Sequence, residues 1–169
     1  MKMKRIITMG LLSGLLAAFG CSKQKDSPPP SRPADAPSPG ITVEKEITVG
    51  QAVVVDGPSP LSQFAVVFED DGETGYFYGL DTSRKDNPIL DALQIYNVSN
   101  VTDRNVPSTV QIVWSADGLK SALLINKYPH AIFDFQAKRG YCRTGFPPPS
   151  KTWSAQGHEW DEKALELFK

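Results

Sequence analysis

A chain of 169 residues has room for one modest domain. Its apolar fraction of 40% and charged fraction of 22% are those of a soluble globular protein, and a formal net charge of -1 offers no basic field to hold nucleic acid. Two cysteines, Cys21 and Cys142, are too few for a thiolate zinc site of the structural kind.

The chain opens with Lys2, Lys4 and Arg5, continues through the apolar stretch from Ile6 to Phe19, and reaches Gly20-Cys21. A basic start, an apolar middle and small residues at a cleavage point make a secretory signal over residues 1–20, and the apolar run is short of the ~20 residues that span a bilayer. Leu16-Ala17-Ala18-Phe19-Gly20-Cys21 resembles a lipobox, the processing signal of bacterial lipoproteins, with Ala18 and Phe19 departing from its preferred residues. That resemblance implies that Cys21 becomes a lipid-bearing (palmitoylated) N-terminus. Ala18 and Gly20 also satisfy the small-x-small rule of ordinary signal cleavage, so a secreted, unlipidated form stays open. Removal of the segment takes away three basic residues and no acid, leaving a mature chain of formal charge -4.

Residues 21–40 hold Pro28, Pro29, Pro30, Pro33, Pro37 and Pro39 among Ser, Ala, Lys and Asp. Without large apolar groups such a segment cannot offset its ordering entropy, so it reads as an extended tether. Ser22 after the lipidated cysteine implies, by the same lipoprotein resemblance, sorting to the periplasmic face of the outer membrane.

From Ile41 to Lys169 the pattern is that of a single globular domain. Thr42 to Val49 and Ala52 to Val55 read as strands separated by Gly50. Phe64 to Glu69 and Gly75 to Leu80 flank Asp70-Asp71-Gly72, a hairpin signal. Ile89 to Val98 reads as a short turn followed by a strand. Val110 to Trp114 and Ser121 to Ile125 enclose a second hairpin on Asp117-Gly118, and Ala131 to Gln136 adds a third strand to that meander. Pro147, Pro148 and Pro149 end the sheet because proline donates no ladder hydrogen bond. Glu159 to Lys169 reads as an amphipathic helix, with Trp160, Ala164, Leu167 and Phe168 on one face. The expected fold is mainly β, an antiparallel meander forming a small sandwich or a partly closed barrel with a short C-terminal helix.

Phe68 to Tyr78, Ile89 to Val98 and Trp114 to Phe135 together resemble an uncharacterised bacterial domain family, domain of unknown function 2251 (DUF2251). The resemblance covers roughly Ile41 to Pro149 and implies a family without an assigned activity, so no catalytic residue is carried over.

The ionisable residues read individually as structural. Glu69, Asp70, Asp71, Glu73 and Asp81 surround the first hairpin without the twelve-residue calcium-loop pattern, and read as solvated turn acids. His130 and Asp134 sit on one strand face about 13 Å apart, too far to share a metal. His158 to Glu162 lacks the His-Glu-x-x-His pattern, and Asp161 and Glu162 read as charge at a helix start. Cys142, left without a partner, is expected to be buried. No metal site, cofactor or catalytic set emerges.

Aromatic and arginine residues remain. Tyr76 and Tyr78 share one strand face, and with Arg139, Tyr141 and Arg143 they make the candidate binding surface, since Tyr, Trp and Arg are enriched at protein-binding hot spots. The expected function is an envelope lipoprotein, membrane-attached through its lipid, whose domain is a non-catalytic module binding another envelope protein. The alternatives are a periplasmic carrier of a small apolar or carbohydrate ligand and, behind it, a small hydrolase using His130, His158 and nearby carboxylates.

Overall fold

The computed structural model describes residues 39–169. The signal segment, Cys21 and the tether as far as Ser38 lie outside them.

Nine strands form among the described residues: β1 Gly40–Ile47, β2 Val53–Pro58, β3 Phe64–Asp70, β4 Thr74–Asp81, β5 Ile89–Asn97, β6 Ser108–Trp114, β7 Lys120–Ile125, β8 Tyr128–Asp134 and β9 Arg139–Cys142. They make two antiparallel sheets, one in the order β1-β6-β7-β8-β9 and one in the order β2-β3-β4-β5. One buried cluster draws side chains from both, including Val66, Phe68, Phe77 and Leu93 from the four-stranded sheet and Val110, Ile112, Trp114, Leu123 and Phe133 from the five-stranded one. The fold is mainly β, and of the two expected forms it is the sandwich; the sheets do not close into a barrel.

Strand alternation decides what enters that core. In β3, Val66 and Phe68 point inward and Asp70 follows them at the same parity; in β4, Tyr76 and Tyr78 alternate outward with buried Phe77. The two Asp-Gly turns form the hairpins read from the sequence, β3 to β4 and β6 to β7. Gly72 takes φ 97° in the first of them, a conformation that L side chains rarely adopt.

β1 and β2 are strands as expected, but they belong to different sheets: β1 pairs with β6 and β2 with β3. The crossing is made at Gly50, where φ is 84° and an added Cβ would lie 2.8 Å from Val98 Cγ1. Pairing in β1 begins at Gly40, opposite Trp114.

Three other expectations are corrected. Ile89 to Asn97 is strand from its first residue, with no turn inside the segment, because Asp91, Leu93 and Ile95 face the core at period two. The meander also gains β9, whose four residues Arg-Gly-Tyr-Cys carry a weak strand signal. The C-terminal helix is a 3-10 helix over Glu162–Phe168, with the Asp161 carboxylate accepting from Lys163 N at 2.9 Å. Trp160, Ala164, Leu167 and Phe168 do share a face, which packs on Ala122 and Ile132 on the outer side of the five-stranded sheet.

Between β9 and that helix the chain forms a strap. Thr144 Oγ1 donates to Gln94 O at 2.6 Å and Gln94 N donates to Phe146 O at 2.9 Å, which ties the strap to the open edge of β5. Cys142 N donates to His158 O at 2.8 Å, so the returning chain also covers the edge of β9. Strand edges left bare are templates for unwanted pairing, and the strap occupies two of them.

Candidate functional site

β9 begins after a tight turn in which Asp134 Oδ1 accepts from Ala137 N at 2.8 Å. Alternation then sends Gly140 and Cys142 into the core, leaving Arg139 and Tyr141 on the outer face. The Arg139 guanidinium lies 4.4 Å from the Tyr141 ring centre. Arg143 follows directly, and it is held on all sides. Its Nε donates to Pro129 O at 3.1 Å and its Nη1 to Glu162 Oε1 at 2.7 Å. The same carboxylate oxygen accepts from Trp160 Nε1 at 2.8 Å.

The Arg143 guanidinium therefore sits 3.9 Å from the Trp160 ring centre and 4.8 Å from that of Tyr128. Each such cation–ring contact contributes on the order of 0.5–1 kcal/mol near a surface. Hydrogen bonds from Arg143 and then Trp160 hold the Glu162 carboxyl below its ordinary range. His130 packs edge-on against Tyr128 at 5.5 Å between ring centres. Burial, and then the Arg143 charge, depress the His130 pKa. Tyr128 remains 52% exposed, so this group of fixed rings and cations presents itself to solvent.

Of the five candidate surface residues, the structure brings three together and separates two. Arg139, Tyr141 and Arg143 gather on the five-stranded sheet, where Tyr128 and Trp160 join them. Tyr76 and Tyr78 lie on the outer face of the other sheet, stacked on each other at 5.9 Å. Alternation assigns a residue to one face of its own strand and says nothing of which sheet the strand enters. Burial first, and then the Glu69 charge, push the Tyr78 phenol up to about 12, so it is neutral across the physiological range.

Two buried acids tie distant segments together, and the first of them departs from the solvated reading. Asp70 is 1% exposed and joins three elements: its Oδ2 accepts from Gly50 N and from the Tyr96 hydroxyl, and its Oδ1 from Gly72 N, each at 2.8 Å. Burial and the Asp70 carboxylate together raise the Tyr96 pKa well above the ordinary phenol range. Asp71 does keep the turn role, accepting from Glu73 N at 2.9 Å and Thr74 N at 2.7 Å, and these bonds lower its pKa.

The second acid is Asp91, whose Oδ2 lies 3.0 Å from Nε2 of the fully buried His158. The sequence names His158 only in the hydrolase alternative and does not single out Asp91. They lie 67 positions apart, and only the inward parity of Asp91 with Leu93 and Ile95 could have signalled it. The pair is buried and anchors the strap to β5. Cys142 is buried as expected, its Sγ 3.5 Å from Phe146 O. Among the described residues no three His, Cys, Asp or Glu side chains converge to hold a metal ion.

Residues 47–169 match a family described as "Uncharacterized protein conserved in bacteria (DUF2251)". The match runs past Pro149 to the last residue, so the strap and the C-terminal helix belong to the family's domain. An uncharacterized protein of Haemophilus influenzae (strain ATCC 51907 / DSM 11121 / KW20 / Rd) is 43% identical over 110 residues, which cover 64% of this chain and 68% of that protein. No solved structure matches the chain. With its family match running from the end of β1 through the other eight strands, the strap and the arginine–aromatic face, the chain belongs to the DUF2251 family of bacterial proteins.

Proposed function

We propose that this chain is a lipid-anchored envelope protein whose domain is a non-catalytic module that binds another envelope protein through the Arg139–Tyr141–Arg143 face. The observation that carries the reading is Arg143, fixed between the Trp160 and Tyr128 rings and by Glu162. Side chains already immobilised lose little entropy on association, and Arg, Trp and Tyr are the residues that dominate binding hot spots. The anchor rests on the basic and apolar start of the chain, the lipobox-like run ending at Cys21 and the proline-rich stretch after it. A lipid at Cys21 and the following Ser22 place the domain at the periplasmic face of the outer membrane.

In-cell photocrosslinking tests the module directly. A photoreactive residue at position 128 in the full-length chain is expected to capture one reproducible envelope protein, and Arg143→Ala is expected to abolish the adduct. A well-folded protein that captures nothing from position 128 refutes the reading. The anchor has its own test, metabolic labelling with a palmitate analogue, in which Cys21→Ala loses the label. Labelling that survives the substitution removes the lipoprotein assignment.

A further inference from the structure

A second recess lies in the sandwich, and none of Tyr128, Arg139, Tyr141, Arg143 or Trp160 lines it. It is a cleft of about 520 Å³ at the end where β3 and β5 begin and β4 and β8 finish. Small-molecule sites occupy roughly 300–1,000 Å³.

One wall of the cleft is aromatic and already assembled. Phe64 and Phe135 stack with ring centres 4.4 Å apart and planes 10° from parallel, and Trp153 lies 6.0 Å from Phe135. Phe135 in turn stacks on the buried Trp114 at 5.7 Å, so the core holds the wall in place. Two cations, Arg84 and Lys138, also line the cleft, and neither has a salt-bridge partner among the described residues. The acid in the lining, Asp81, is engaged elsewhere: its Oδ1 accepts from Ser83 N at 3.0 Å and from Ser83 Oγ at 2.6 Å. The lining thus carries one more positive than negative charge beside the half-buried Phe64 and Trp153 rings.

We infer that this cleft binds a small anion with one flat apolar face, that face against the half-buried Phe64 and Trp153 rings and its acid group held by Arg84 and Lys138. A wholly neutral apolar guest would cover the two cations without compensating them, at a cost in desolvation. An aromatic acid and a sugar acid share the required chemistry, the first through its ring and the second through the C–H face of its pyranose.

Calorimetric titration of the full-length chain with naphthalene-2-carboxylate, and separately with glucuronate, distinguishes these two sources. At least one acid is expected to bind with unit stoichiometry. Its uncharged counterpart, naphthalene-2-methanol or methyl glucoside, is expected to bind about tenfold more weakly or worse. The double variant Arg84→Gln/Lys138→Gln, both at exposed positions, is expected to keep the wild-type melting temperature and lose about tenfold or more in affinity. The inference is overturned when neither acid binds, when the neutral compounds bind as well as the acids, or when the double variant binds undiminished. Crosslinking from position 128 is independent of all three results, so the two proposals fail separately.

Discussion

Replacing His158 with alanine should be the most damaging single change in the domain. The imidazole is fully buried and the Asp91 side chain is 4% exposed, so nothing replaces the lost partner at Asp91 Oδ2. The remaining carboxylate bond, Oδ1 accepting from Ala92 N at 3.0 Å, leaves one oxygen stranded. Removing one partner of a buried pair of this kind costs about 3–5 kcal/mol, against a total stability of roughly 5–15 kcal/mol for a domain. Urea denaturation followed by tryptophan fluorescence reads the loss as a fall in midpoint. At a slope of about 1–3 kcal/mol per molar urea, the shift is one molar or more. Asp91→Leu combined with His158→Leu removes both polar groups and should recover much of the loss, because a well-packed apolar replacement leaves no stranded oxygen. The reasoning fails if His158→Ala stays within about 1 kcal/mol of wild type, or if the two single changes add without coupling in the double variant.

Asp70→Ala should cost about 3 kcal/mol, since three charge-assisted bonds to Gly50 N, Gly72 N and Tyr96 are lost together; thermal melting followed by near-ultraviolet dichroism reads it. Hydrogen bonds from Lys120 and Ser115 hold the Asp117 carboxyl at about 2, against 3.8 in the free group. Its contribution is therefore complete above about pH 4 and is lost as pH falls towards 2, so Asp117→Asn should flatten the wild-type stability slope in that window. His130 behaves in the same direction at higher pH. Its depressed pKa means that the unfolded chain takes up a proton first as pH falls through 6.5, so stability declines there, and His130→Gln should remove that decline in urea midpoints measured from pH 8 to 5.

Much of the fold is legible in the residues, and the reasons are local. Asp71-Gly72 and Asp117-Gly118 specify tight hairpins, and their flanking strands follow by alternation. The β7 to β8 hairpin carries a weaker signal, because its two-residue loop is Asn126-Lys127, with φ of 52° and 65°, and lacks a glycine. Leu90 and Leu93 suggest helical spacing, yet Asp91, Leu93 and Ile95 are the inward set, because an acid can occupy a core position when a histidine from the strap meets it. Asp70 follows the same logic, two residues after Phe68. In both strands the parity of the acid was visible and its partner was not, since the partner comes from a distant part of the chain.

The candidate site divides along the same line. Arg139, Tyr141 and Arg143 are close in sequence, so one short strand carries them to one surface. Tyr128 and Trp160 reach that surface through β8 and the strap, and only the assembled sheet shows that Arg143 lies between their rings. Tyr76 and Tyr78 had the same local credentials and went to the other sheet. The choice of sheet depends on strand pairings spread over the whole domain, which no local pattern encodes.

The strap also fixes an order of events. A chain that emerges from its N-terminus can form the β3–β4 and β6–β7 hairpins early, from residues close together. The edges of β5 and β9 must wait for residues 144–159, and Asp91 waits for His158. The part of the molecule that appears after β9 is thus the part that seals it. Until then a half-built sandwich carries a bare carboxylate at its centre and two open strand edges, and a stop a dozen residues early, which removes His158 and Glu159, leaves the carboxylate and the β9 edge in that condition.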